Sequence, residues 1–234
     1  RYFLDRGDHL DAVDRWIRMV AINRLTGHSA GFFSVYSLPP NQAVSVASQR
    51  RINQRREQVP PERDVDALIL KKTRALLRDL TPLDREVLRR AAEGARLLTG
   101  DSRALTELPD GEVRLSVTSP PFLDVVDYAA DNWLRCWFAG IDAAQVPITV
   151  VRDLGQWRAA MTEVLAACRR VTAPGGWMAF EVGEVRKGSV RLEEEVLPCG
   201  VAAGWEPVLV LINAQEFTKT ANCWGVTNGK GGTN

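Results

Sequence analysis

The stretch Val113-Arg114-Leu115-Ser116-Val117-Thr118-Ser119-Pro120-Pro121-Phe122 decides how the chain is read. Val113, Leu115 and Val117 alternate with Arg114, Ser116 and Thr118, the period-two pattern of a strand. The strand must stop at Ser119, because Pro120 and Pro121 have no N–H with which to extend a ladder. Each proline also pushes the preceding residue into an extended conformation. Ser119 is therefore expected on a stiff backbone just past a strand end. In open α/β sheets, loops at the carboxyl ends of strands line ligand crevices. Five residues alone are equally compatible with a Pro-Pro turn or a polyproline-type ligand segment.

Working downstream, residues 157–171 carry Trp157, Met161, Val164, Leu165 and Cys168 at helical spacing. Arg169 and Arg170 fall where basic residues complement a helix C-terminus. Pro174-Gly175-Gly176 then predicts a sharp exit into a strand over residues 177–182. A helix over residues 192–203, a Gly204-Trp205 turn and a strand over residues 207–212 follow. Between Phe122 and residue 157, Trp133, Trp137 and Phe138 lie on a predicted helix and are expected in its core-facing stripe. Alternating strands and helices predict a wound α/β sheet over residues 96–234.

Upstream, residues 1–95 read as a helical segment. Val13, Trp16, Ile17, Val20 and Ala21 form one stripe, with Gly27 placed as a C-terminal cap. Asn41 is the expected cap of a second helix running to about Arg56, broken by Pro60 and Pro61. A third carries Val65, Leu68, Ile69, Leu76 and Leu77; a fourth starts at Thr81-Pro82 with Asp84 in its first turn. From Gln49 to Arg56, four arginines (Arg50, Arg51, Arg55 and Arg56) share a short span with a single terminal acid, Glu57, so DNA-phosphate contact is the preferred reading there, with Arg50, Arg51 and Arg55 as the candidate contacts. On the third helix, acidic residues are interspersed with Lys71, Lys72, Arg74 and Arg78, and a solvated face is preferred.

The stretch Thr118-Ser119-Pro120-Pro121-Phe122 resembles motif IV of the S-adenosylmethionine-dependent DNA amino-methyltransferases. Those enzymes methylate N4 of cytosine or N6 of adenine. Serine in first place leans toward the N4-cytosine members. Gly100-Asp101, upstream of Ser119, resembles the Gly-Asp that ends the preceding strand in that family. Arg-Val-x-x-Pro-Gly-Gly at 170–176 is similar to a recurrent element of the same fold, and Gly31-Phe32-Phe33 with residues 42–54 resembles members carrying a helical insertion. The resemblance implies a Rossmann-like methyltransferase sheet, preceded by the helical segment. It implies that Asp101 and Thr118 bind S-adenosylmethionine. It further implies that Ser119, Pro120 and Pro121 cradle a base amine while Phe122 stacks on a flipped base.

The family's Gly-rich cofactor loop has no match here, nor does its acidic ribose-binding residue. The sheet is therefore expected to be partial, with the missing N-terminal portion of the same enzyme supplying both. Double-stranded DNA is the implied substrate and a cognate restriction nuclease a possible companion. RNA or a protein glutamine amide as methyl acceptor is an alternative, as is a non-catalytic nucleic-acid-binding fragment. In the tail, Lys219 is a candidate phosphate contact and Trp224 a candidate base-stacking ring; an ordinary connection between late strands accounts for them equally.

Composition bounds the rest. The chain has 234 residues, enough for one large domain or a core with an appendage. Its formal charge of +1 means any nucleic-acid footprint must be local. Cys136, Cys168, Cys199 and Cys223 are widely spaced, which argues against zinc and disulfides and suits a reducing cytoplasm. His9 and His28 are the only histidines, so neither a His-based dyad nor a metal site is expected. No run is apolar enough to span a bilayer, and no signal peptide is visible.

Overall fold

The computed structural model describes residues 1–27, 29–35, 44–121, 123, 127–148, 151–185 and 189–213. It is a mixed α/β chain that divides into two units, one of residues 1–95 with 127–146, the other of the described residues of 96–126 and 147–215.

In the first unit, α1 (Tyr2–Arg6) and α2 (Ala12–Ile22) are tied by a buried carboxylate. Asp14 accepts from the Tyr2 hydroxyl at 3.0 Å and from Arg6 Nη1 at 3.3 Å. A buried charge needs such partners. Helix α3 spans Val46–Arg55, α4 Val65–Leu77 and α5 Pro82–Gly94, the last opened by a complete Thr81/Asp84 capping box. Trp16 Nε1 donates to Thr73 Oγ1 at 3.0 Å, joining α2 to α4. Arg18 Nη2 donates to the Ala139 carbonyl at 2.8 Å, capping the end of α6 (Tyr128–Ala139). This unit is held by long-range polar bonds around a small core of Leu10, Val20 and Ala21.

Several expected details of this unit are corrected. Val13 lies on the solvent side of α2, because Asp14 takes the buried position beside it. Gly27 does not cap α2, which ends at Asn23. Its hydrogen atom instead makes room for the Phe32 ring, which a Cβ would meet at 2.4 Å. Ser45 caps α3, with its side chain accepting from the Ser48 amide; Asn41 lies outside the described residues. On α6, Phe138 packs on Phe3 with ring centroids 6.0 Å apart, whereas Trp137 is exposed.

The second unit is built on α7 (Leu154–Val171). Trp157, Ala160, Met161, Leu165, Ala167 and Val171 are buried along one side of it. Full burial of each large side chain contributes about 1.5–3 kcal/mol. Leu123, Val185 and Leu192 join Trp157 and Met161 in the core, and Phe180 and Val182 pack against it. Helix α8 (Leu192–Ala202) lies on α7, fixed by the Arg158–Glu195 ion pair and by Trp205 Nε1 donating to the Leu165 carbonyl at 2.9 Å.

Strands β1 (Val113–Thr118) and β2 (Thr172–Phe180) form a parallel pair, with Leu115 opposite Trp177, Val117 opposite Ala179 and Thr118 opposite Phe180. Pro174-Gly175-Gly176 is a bulge within β2 rather than a turn before it: the register jumps from Val113↔Thr172 to Leu115↔Trp177. Gly175 has φ +75°, open to glycine, and Gly176 passes so close to β1 that a Cβ would sit 3.1 Å from the Arg114 carbonyl oxygen. A short hairpin of β3 (Glu184–Val185) and β4 (Val190–Arg191) precedes α8.

Ser116, Met178, Thr118 and Phe180 share the half-buried face of the pair, while Leu115 and Trp177, each 60% exposed, and Val117 form the other. Parallel sheets ordinarily have both faces covered. Two expected strands do not form. Residues 97–99 and 207–212 are apolar runs that join no ladder, and most of their apolar side chains are exposed. A strand needs hydrogen-bonding neighbours, and among the described residues neither run has them.

The Gly176→Ala change should lower unfolding stability by about 1–3 kcal/mol, since the methyl meets Thr172 Cγ2 at 2.6 Å and two backbone oxygens. Urea titration monitored by tryptophan fluorescence measures it; an unchanged midpoint would show that the strand spacing tolerates a Cβ.

Candidate functional site

The last ladder bond of the parallel pair runs from the Glu181 N–H to the Thr118 carbonyl at 2.9 Å. Ser119 is the next residue and is exposed, with Pro120 and Pro121 half-buried behind it. Neither proline can donate to a neighbouring strand, so the chain leaves the sheet here. The parallel register thus brings Thr118, Ser119, Pro120 and the exposed Glu181 to one strand end. Phe122 lies outside the described residues.

Sequence reasoning does not single out Glu181. It ends an apolar run and resembles any strand terminus; only the pairing of Phe180 with Thr118 makes it the neighbour of Ser119.

Asp101 sits in a one-turn loop, its own carbonyl accepting from the Ala104 N–H at 3.0 Å. Its carboxylate is engaged. Oδ1 accepts from the Arg103 N–H at 2.9 Å, and both oxygens accept from the Arg103 guanidinium at 2.5–3.0 Å. Hydrogen bonding from the Arg103 side chain, then from its backbone, holds the Asp101 carboxyl down at about 2. A carboxylate has about four lone-pair sites, and Arg103 occupies most of them. Arg103 also reaches Glu163 of α7 at 3.7 Å.

As a receptor for S-adenosylmethionine these residues fit in one respect only. Asp101 is an acceptor of the kind an adenine amine requires, but Arg103 competes for it, and no Gly-rich loop in the sequence is spaced to hold the methionine part.

The arginines proposed to contact DNA differ from several others of the helical unit in their ion pairing. Arg50, Arg51 and Arg55 on α3 are exposed, and no ion pair links them to a carboxylate among the described residues. Arg51 donates to Ser48 Oγ at 3.1 Å. By contrast, Arg78 pairs with Asp79, and Arg89 and Arg90 pair with Glu86. Lys219 and Trp224 lie outside the described residues. Among the described residues no cluster of three His, Cys, Asp or Glu side chains is arranged to hold a metal, and no helix is long and apolar enough to cross a membrane.

Comparison with known proteins finds no matching family model, no matching curated protein and no matching solved structure.

The Asp101 pair carries a definite pH signature. Its folded-state value lies below the ordinary 3.8, so its stabilising contribution is complete above that value and is lost as pH falls through about 2. Replacing Arg103 with Ala should return the Asp101 carboxyl toward 3.8, read by carbon-detected NMR titration; a value that stays near 2 would mean Arg103 is not the cause.

Proposed function

We propose that this chain carries the amine-binding part of a Rossmann-like, S-adenosylmethionine-dependent DNA methyltransferase, acting on the exocyclic amine of a flipped base, with N4 of cytosine favoured over N6 of adenine. The observation that carries the reading is Ser119. It stands exposed at the carboxyl end of a parallel strand, followed by two prolines whose backbone cannot be drawn into a ladder.

The cofactor, when bound, supplies an already activated methyl group. The work left to this chain is positioning. A cytosine amine is a weak nucleophile because its lone pair is delocalised into the ring. Two acceptors around its N–H bonds, Ser119 Oγ and the Pro120 carbonyl, draw it toward a pyramidal geometry. Extruding the base costs a few kcal/mol, and stacking on Phe122 offsets about 1–3 kcal/mol of that. Ser119 is not assigned a covalent role, since no histidine is placed to activate it. The exposed apolar face of Leu115, Val117 and Trp177 is one that a parallel sheet ordinarily has covered by a packed layer.

A second reading, a non-catalytic nucleic-acid-binding fragment, is favoured by the uncompensated arginines of α3 and by the occupation of Asp101 by Arg103. Methyl transfer from labelled S-adenosylmethionine to duplex DNA, assayed with this chain joined to the portion that bears the cofactor loop, separates the two. Ser119→Ala should abolish transfer with little loss of DNA affinity; full turnover in that variant would remove Ser119 from the mechanism. Converting Arg50, Arg51 and Arg55 to Glu should weaken DNA binding and flatten its log–log salt dependence by about 0.9 for each phosphate no longer neutralised. An unaltered slope would mark α3 as a merely solvated face.

A further inference from the structure

The loop between Asp101 and β1 has almost no apolar anchor: Ala104 is exposed, and only Leu105 and Leu108 are half-buried. It is held instead chiefly by one side chain, with Arg96 Nη1 adding a long 3.5 Å bond to the Glu107 carbonyl. The Arg170 guanidinium, in the last turn of α7, donates to the carbonyls of Ala104 and Leu108 at 3.2 Å and of Leu105 at 2.8 Å, and pairs with the Asp110 carboxylate. The Arg170 carbonyl accepts from the Gly111 N–H at 3.1 Å. Five donors in a planar fork suit one arginine to several acceptors at once, which a lysine cannot match.

The loop is also under strain. Leu105 has φ +47°, a left-handed conformation disfavoured for a residue with a Cβ. That conformation aims its carbonyl into the shortest of the bonds that Arg170 makes to backbone.

We propose that Arg170 is the positioning residue of the candidate site: it clamps loop 104–110 and thereby sets where Asp101 stands. The topology explains why this residue does so. Helix α7 runs directly into β2, and β1 starts at the same end of the parallel pair. The last turn of α7 therefore lies beside the chain entering β1. From there the loop leads back along α7 toward Glu163, about 10 Å nearer the helix N-terminus, where Arg103 and Asp101 are anchored. Phe180, at the carboxyl end of β2, packs against the core built on Trp157 and Met161, so that direction is the one in which Ser119 lies. The clamp is a property of this chain alone; its effect on cofactor binding rests on the methyltransferase reading.

The test uses the full chain with Arg170→Ala, Arg170→Lys and Leu105→Gly. Amide exchange at Ala104, Leu108 and Gly111 should accelerate about tenfold or more in Arg170→Ala, the effect of losing charge-assisted bonds, while α8 amides hold their rates. Free guanidinium should restore protection in part, and Arg170→Lys should fall between. Adding Leu105→Gly to Arg170→Ala should recover some protection, because glycine adopts positive φ without strain. Unchanged exchange at the three amides, or acceleration spread evenly over the unit, overturns the clamp. Affinity for S-adenosylmethionine gives the second readout. Weakening about tenfold in both Arg170→Ala and Asp101→Ala supports the positioning role. Weakening in Asp101→Ala alone, with the loop loosened in Arg170→Ala, overturns that role and leaves the methyltransferase reading standing. If the unmutated chain does not bind this cofactor, the positioning role falls with the assignment of Asp101 as a cofactor residue, and the exchange pattern still decides the clamp.

Discussion

Burial of one side of α7 is the constraint on which the sheet unit depends. Trp157, Met161, Leu165 and Val171 exclude water along its length, and α8, the β3–β4 hairpin and the end of β2 are placed by what they add to this face. The α8 helix contributes Leu192 and Cys199, the β3–β4 hairpin Val185, and the end of β2 Phe180. Because α7 passes into β2 without a loop, its direction also fixes which end of the parallel pair faces which end of the helix. The tandem Arg169-Arg170 at its C-terminus exploits that. Arg169 donates to the Gly204 carbonyl at 3.2 Å and lies near the Trp205 ring, while Arg170 gathers the loop entering β1. Two adjacent cations thus hold two separate connections, in addition to complementing the helix dipole.

The exit of β1 is governed by a different kind of constraint. Pairing ends at Thr118 because Pro120 and Pro121 bring no N–H, not because side-chain packing runs out. A serine held this way is rigid in backbone yet open to solvent, the combination a recognition site requires. Asp101 is differently prepared. Its lone pairs are committed to Arg103, so any ligand that uses this carboxylate must compete with a neighbour two residues away. The same guanidinium is drawn toward Glu163, which gives it a second carboxylate to move to.

Charge pairing separates the arginine groups more clearly than their number does. Arg89 and Arg90 of α5 are compensated by Glu86 and Glu93, so they present little net field. Arg50, Arg51 and Arg55 of α3 have no such compensation among the described residues, and they are exposed in a chain whose overall charge is +1. Helices α4 and α5 bury no residue fully, whereas α7 buries six.

Local chemistry determined a good deal by itself. Alternation fixed β1 and proline fixed its end, since both act through the backbone of adjacent residues. The Thr81-Pro82-x-Asp84 signal fixed the start of α5 for the same reason. Periodicity located α4 and α7 to within a few residues, and the Gly204-Trp205 turn marked the end of α8. Tertiary structure alone decided what depends on distant partners. Residues 207–212 and 97–99 are apolar enough for strands but have no ladder to join among the described residues. Pro174-Gly175-Gly176 became a bulge because β1 runs against it. Glu181 neighbours Ser119 only through the parallel register, and Arg170 meets loop 104–110 only because β1 and β2 start at the same end. No window of sequence carries that information, because a side chain's partner is set by how the strands are ordered in space.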